Sequence, residues 1–160
     1  MDNYNLRLNV VNKALEYLGN KYVWGSTGPT EFDCSGFTWF IYNEVLNIDI
    51  NKDGIGIGDT TKQFTSSVGS LKLYKEDDAN KIGYINNIKM GDLVFFHRQS
   101  LESDNPSVNN KYPGHVGIYI GSNSFIHASS DSGSVIITNF IDDPYWQSVL
   151  VGSKDVFEKK

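Results

Sequence analysis

The sequence predicts an α+β fold, helices packed on a mostly antiparallel sheet. Apolar residues at helical spacing are confined to the first third of the chain. Short β-rich runs separated by Gly, Ser, Asn or Pro fill the second half, and helices followed by strands favour an antiparallel sheet over a parallel one. The 160 residues, 39% of them hydrophobic, suit a single compact domain over residues 1–160.

Leu8, Val11, Leu15 and Leu18 recur at three- and four-residue intervals before Gly19, which predicts a first helix over 6–18 with a glycine stop. The segment Trp24 to Thr30 has loop chemistry. Asp33 follows as an N-cap for a second helix whose apolar side is Phe37, Phe40, Ile41 and Val45, with Cys34 in its first turn. A polar, glycine-bearing stretch runs from Asn47 to Asp59, a short helix is expected near Thr61 to Ser66, and the region up to Lys89 carries no clear pattern. Strands are then expected at Asp92–Phe96, His115–Ile120, Ser124–Ala128, Val135–Phe140 and Ser148–Val151. The interval from His97 to Gly114 is long enough to be a functional wall or an insertion.

Composition narrows the function. A net charge of −5 argues against a nucleic-acid partner, and no apolar run is long enough for membrane insertion. A single cysteine rules out an internal disulfide and a multi-cysteine zinc site. The first residues lack a basic start and an apolar stretch, so no signal peptide is read in this chain.

The lone thiol has two readings, a buried structural cysteine or a nucleophile favoured by the start of a helix. A nucleophilic thiol needs an imidazole to take its proton and a further polar group to orient that ring. His115 and His127 open and occupy successive strands. If the intervening hairpin closes on the three residues Gly121, Ser122 and Asn123, Gly117 pairs with His127 and both histidines share a face; a two-residue loop would separate them.

Five motifs carry a resemblance: Tyr22-Val23-Trp24-Gly25; Phe32-Asp33-Cys34-Ser35-Gly36-Phe37; Gly91-Asp92-Leu93-Val94-Phe95-Phe96; His115 through Gly121; and Phe125-Ile126-His127-Ala128. In order and spacing, from about Ala14 to Val151, they resemble the NlpC/P60 family. That resemblance implies a papain-like fold with a five- to six-stranded sheet and a cysteine peptidase acting on bacterial peptidoglycan stem peptides without a cofactor. It implies Cys34 as nucleophile, His115 as general base and acid, His127 as orienting third member and Tyr22 as oxyanion donor. It also places Asp33 and Ser35 at the amino end of the substrate, although helix capping explains them as well. Gly36 would let substrate approach the helix, and Trp24 joins the substrate-binding wall; Trp39 and Trp146 read as packing. The bond expected to be cut joins D-γ-glutamate to the diamino acid. An N-acetylmuramoyl-L-alanine amidase and a catalytically silent wall-binding module are the alternatives.

One motif departs from the family pattern: Gly25 is followed by Ser26 where members often have a second glycine. Asp49 to Gly54 opens like a calcium loop, but its twelfth position is Thr60 instead of a bidentate Glu, so a solvated turn is expected. The glycines from Gly54 to Gly58 lack the Lys-Ser/Thr of a phosphate loop, and His97 has no second metal ligand at sensible spacing. A wall substrate implies an extracellular, cell-wall or phage-encoded setting, with a wall-binding or second lytic domain in a longer protein.

Overall fold

The computed structural model describes residues 3–54, 56, 58–74, 81–97 and 113–158. The expected wall between His97 and Gly114 therefore lies mostly outside the described residues. Helix α1 spans Tyr4–Leu15, α2 Cys34–Leu46 and α3 Thr60–Thr65; strand β1 is Ser70–Leu73 and helix α4 Lys81–Asn86. Strands β2 (Leu93–Phe96), β3 (His115–Gly121), β4 (Ser124–Ser129) and β5 (Ser134–Asn139) follow, then the short helix α5 (Tyr145–Ser148) and strand β6 (Leu150–Asp155). The six strands form one sheet in the order β1-β6-β2-β3-β4-β5, and every pair is antiparallel.

Alternation along each strand divides the molecule into two cores. Phe95, Val116, Ile118, Ile126, Ala128 and Val135 face α1 and α2, where they meet Val10, Ala14, Phe37 and Ile41. Val94, Phe96, Tyr119 and Phe125 face the other side and pack with Ile85, Phe140, Val149 and half-buried Trp146. Two apolar faces explain why β2 reads as an unbroken run, since all four of its residues are buried.

Several boundaries differ from expectation. The first helix ends at Leu15 instead of 18, and it buries Arg7, Val10, Val11 and Ala14 while Leu18 is exposed. Arg7 can be buried because its guanidinium bonds Asp92 at 2.7 Å and Asp155 at 2.6 Å, a match that periodicity of apolar residues does not register. Gly19, at φ 87° in the turn that follows, donates its amide to the Val135 carbonyl. The unpatterned stretch before Lys89 holds β1 and α4. The run expected as a strand at Ser148–Val151 is divided between α5 and β6, because Pro144 starts a helical turn over Tyr145–Ser148.

The hairpin that sets the histidine faces is also built differently. Its turn has two residues, Ser122 and Asn123, at φ 52° and 62°, the left-handed pair a tight hairpin requires. A bulge compensates: Tyr119 pairs with Phe125, but the next pair is Gly121 with Ser124, so Ile120 is the extra residue. Below the bulge the register is the one expected, Ile118 opposite Ile126, and both histidines keep one face.

Candidate active site

Asp33 starts α2 as its N-cap, with extended backbone and its Oδ1 accepting the Gly36 amide at 2.6 Å. Its other oxygen accepts the Gly25 amide at 3.1 Å, which ties the Trp24–Thr30 loop to the helix. Burial, against the pull of these bonds and of Ser35, leaves the Asp33 carboxyl above the ordinary range. The capping reading therefore holds for Asp33, and its charge beside the thiol is met by backbone amides.

Cys34 is 6% exposed, yet it opens onto a cavity of about 310 Å³ lined also by Tyr22, Trp24, Gly25, Asp33, Ser35, Gly58, Thr60 and Gly114. The sulfur lies 3.8 Å from the Thr60 hydroxyl and 4.0 Å from the Gly114 carbonyl oxygen. Trp24 is 78% exposed and belongs to the cavity rim, not to a core. Tyr22 is half-buried at the same wall, held by its amide on the Gly133 carbonyl and a bridge to Phe32.

Gly36 does not leave room for a ligand. A Cβ there would lie 2.1 Å from the Ser26 carbonyl oxygen, so the glycine admits the chain's own loop. Gly58 serves the same end from the other side, because its Cβ would meet the Gly36 amide nitrogen at 2.2 Å. The segment before α3 is thereby pressed against the start of α2. Below it, Gln63 donates to the Ser35 carbonyl at 3.0 Å, and the Thr38 hydroxyl reaches the Gln63 Oε1 at 2.7 Å. Lys154, 1% exposed, donates to the Gln63 and Ser66 carbonyls at 2.7 Å each and so closes the far end of α3.

His115 follows Gly114, whose carbonyl is the thiol's neighbour, and is buried at the start of β3. Its Nε2 lies 2.8 Å from Nδ1 of His127, whose own Nε2 lies 2.8 Å from the Thr138 hydroxyl. His127 has no exposed surface, and burial, followed by the neighbouring His115, holds its pKa well below the usual imidazole value. Both rings belong to the sheet face away from α2, where Trp146 meets them edge-on or tilted at 5.1 Å and 5.5 Å between centroids.

The geometry therefore brings Tyr22, Trp24, Asp33, Cys34 and Ser35 to one cavity and pairs His115 with His127 behind Gly114. Thr60, Thr138 and Trp146 are additions. The sequence marks Thr60 only as the last place of an ion loop, whereas in the structure it lines the cavity with its hydroxyl beside the thiol. Thr138 was legible only through strand pairing, two residues past the partner of His127. The Asp49 carboxylate accepts the Asn51 and Gly54 amides within the loop, and Asp53 pairs with Lys62 of α3. Among the described residues no cluster of three His, Cys, Asp or Glu side chains could hold a metal, and no helix is long and apolar enough to cross a membrane. His97 is half-buried, its amide on the Val149 carbonyl. A larger hollow of about 990 Å³, bordered by Arg7, Lys72, Lys89 and Tyr119, contains none of the expected site residues.

The NlpC/P60 family model matches residues 19–155. The chain is 30% identical over 151 residues to the murein DD-endopeptidase MepH of Escherichia coli, covering 94% of this chain and 46% of that protein. It is 26% identical over 145 residues to the murein DD-endopeptidase and LD-carboxypeptidase MepS of the same organism, covering 91% and 60%. Among solved structures, the NlpC/p60 domain of the peptidoglycan hydrolase SagA superposes with a TM-score of 0.63 at 27% identity, covering 93% of this chain and 97% of that one. NlpC2 of Trichomonas vaginalis gives 0.67 at 30%, covering 98% and 49%. The chain spans about half the length of the curated relatives it matches. With the motifs, the six-stranded sheet and a family match across nearly all of its length, this chain belongs to the NlpC/P60 family.

Proposed function

We propose that residues 1–160 form the catalytic domain of a peptidoglycan hydrolase, a cysteine endopeptidase that cuts the amide between D-γ-glutamate and the diamino acid of stem peptides. The observation that carries this reading is the thiol at the head of α2, opening on a cavity 4.0 Å from Gly114, with the hydrogen-bonded His115–His127 pair next along the chain. The relatives' names, murein endopeptidases and a peptidoglycan hydrolase, support the substrate class.

In this reading the Cys34 proton passes to His115 and the thiolate adds to the scissile carbonyl. Tyr22, on the cavity wall, donates to the developing oxyanion. His115 returns its proton to the departing amine, and water then cleaves the thioester with His115 as base. Asp33 and Ser35 border the cavity at the helix start, where the carboxylate suits a peptide ammonium. The setting of such a substrate is the cell wall or the extracellular space. Wall-binding or further lytic segments elsewhere in a longer protein would supply the anchoring that an acidic domain does not find on an anionic polymer.

Two named relatives are DD-endopeptidases, which favours one competing bond, the cross-link between stem peptides. Mass spectrometry of monomeric and cross-linked muropeptides after digestion separates the cases. A new amino terminus on the diamino acid of the monomer supports the proposal, loss of cross-links alone indicates the DD bond, and a freed L-alanine amine indicates the amidase. Cys34→Ala is expected to abolish turnover with the fold intact; residual hydrolysis by that variant overturns the mechanism.

A further inference from the structure

His127 is held at both ring nitrogens. Nδ1 is 2.8 Å from Nε2 of His115, and Nε2 is 2.8 Å from the hydroxyl of Thr138. The placement follows from strand register: Ile136 lies opposite His127 and Thr138 opposite Phe125, so Thr138 projects from the same face one diagonal step away. A β-branched side chain on a strand has a stiff χ1, which fixes the direction of its hydroxyl.

We propose that Thr138 is a positioning residue for the hydrolysis, its hydroxyl oxygen accepting the Nε2 proton of His127 so that the His127 Nδ1 accepts from His115, leaving Nδ1 of His115 as the basic nitrogen. This rests on the reading of His115 as the base.

The inference follows from counting protons along the chain of rings. His127 is fully buried, and burial together with His115 keeps it neutral, so its ring carries one proton, on either nitrogen. When His115 takes the thiol proton on Nδ1, its Nε2 also bears a proton and needs an acceptor at 2.8 Å. Only the His127 tautomer protonated at Nε2 provides one, and that tautomer requires Thr138 to accept. The opposite polarity, with Thr138 donating, would turn an N–H of His127 against an N–H of charged His115. One proton moves in the step, from Sγ to Nδ1; those on the two Nε2 atoms stay in place. Of the groups seen packed on His127, namely His115, Phe125, Trp146 and Thr138, His115 alone titrates. Among the described residues the groups bonded to the ring, and so able to set its tautomer, are His115 and Thr138.

The test compares wild type, Thr138→Val and Thr138→Ser as full chains. Valine is expected to lower kcat/KM on muropeptides about tenfold, the equivalent of one net hydrogen bond, with KM little changed, and to move the pH profile of Cys34 alkylation by iodoacetamide upward. Serine is expected to restore both. The ¹⁵N spectrum of histidine-labelled wild type should show the His127 proton on Nε2, and a proton on Nδ1 overturns the proposal even if the valine variant fails to fold. A folded valine variant with the wild-type alkylation profile overturns it too. If His115→Asn also leaves that profile unmoved, the failure belongs to His115 as base; if His115→Asn shifts it and valine does not, the failure is that of Thr138 alone.

Discussion

Nε2 of His115 and Nδ1 of His127 are 2.8 Å apart, and the indole of Trp146 covers both rings. An imidazole that orients another imidazole must remain a neutral acceptor, since a second positive charge would oppose the imidazolium formed during acyl transfer. Replacing His127 by Leu keeps an apolar volume but removes the acceptor. We expect kcat/KM on muropeptides to fall by about a hundredfold or more, in line with the loss of an orienting third residue, and KM to change little. Steady-state kinetics at saturating and limiting substrate check this.

Two buried groups make opposing contributions to stability in acid. Burial pushes the Asp92 carboxyl up to about 6, outweighing its bonds to Arg7 and Lys89. A raised carboxyl binds its proton in the folded state first, so its contribution grows as pH falls through 6 and is lost as pH rises again. His127 does the reverse. Its folded pKa is depressed, so below the ordinary imidazole value of ~6.5 the unfolded chain takes the proton and stability falls. On acidification below about pH 6 the two contributions therefore run in opposite directions. Urea unfolding should show Asp92→Asn losing stability more steeply than wild type on acidification, and His127→Gln losing it less steeply or gaining it.

Lys154 is a buried cation, its Nζ donating to the Gln63 and Ser66 carbonyls and to the Ser66 hydroxyl. Lys154→Met would leave those carbonyls at the end of α3 unsatisfied. We expect a loss of about 2–4 kcal/mol in urea unfolding. Because α3 also carries Thr60 to the cavity and Gln63 to the Ser35 carbonyl, KM should rise in the same variant.

Gly36→Ala sets two physical effects against each other. Helix propensity alone favours alanine in the first turn by about 0.5–1 kcal/mol. The contact with the Ser26 carbonyl, 2.1 Å from the new Cβ, opposes it and involves backbone on both sides. The clash should win, with destabilisation of about 1–3 kcal/mol in thermal or urea unfolding and faster proteolysis within the Trp24–Thr30 loop.

Much of this architecture is written in local patterns. Asp33 before Cys34 announces the start of α2, and the α+β class follows from where helical and strand periodicities lie. The features that sequence reading missed depend on distant partners. Arg7 belongs to a buried face because Asp92, just before β2, and Asp155, at the end of β6, await it far along the chain. Lys154 and Thr60 meet through α3, and Thr138 reaches His127 only once β4 and β5 are in register. Gly36 illustrates the converse case: the residue was legible, but what needs its missing side chain is the loop at Ser26, not a ligand.

The hairpin joining the two histidines also constrains how this protein can vary. With a two-residue turn, the shared face of His115 and His127 depends on Ile120 staying unmatched. A slip that paired Ile120 with Phe125 would move every pair below it by one and set the two rings on opposite sides of the sheet. Deletion of Ile120 alone would leave a regular two-residue hairpin with Tyr119 still opposite Phe125 and the rings together. Among descendants of this gene, that tip should therefore tolerate the loss of its bulged residue.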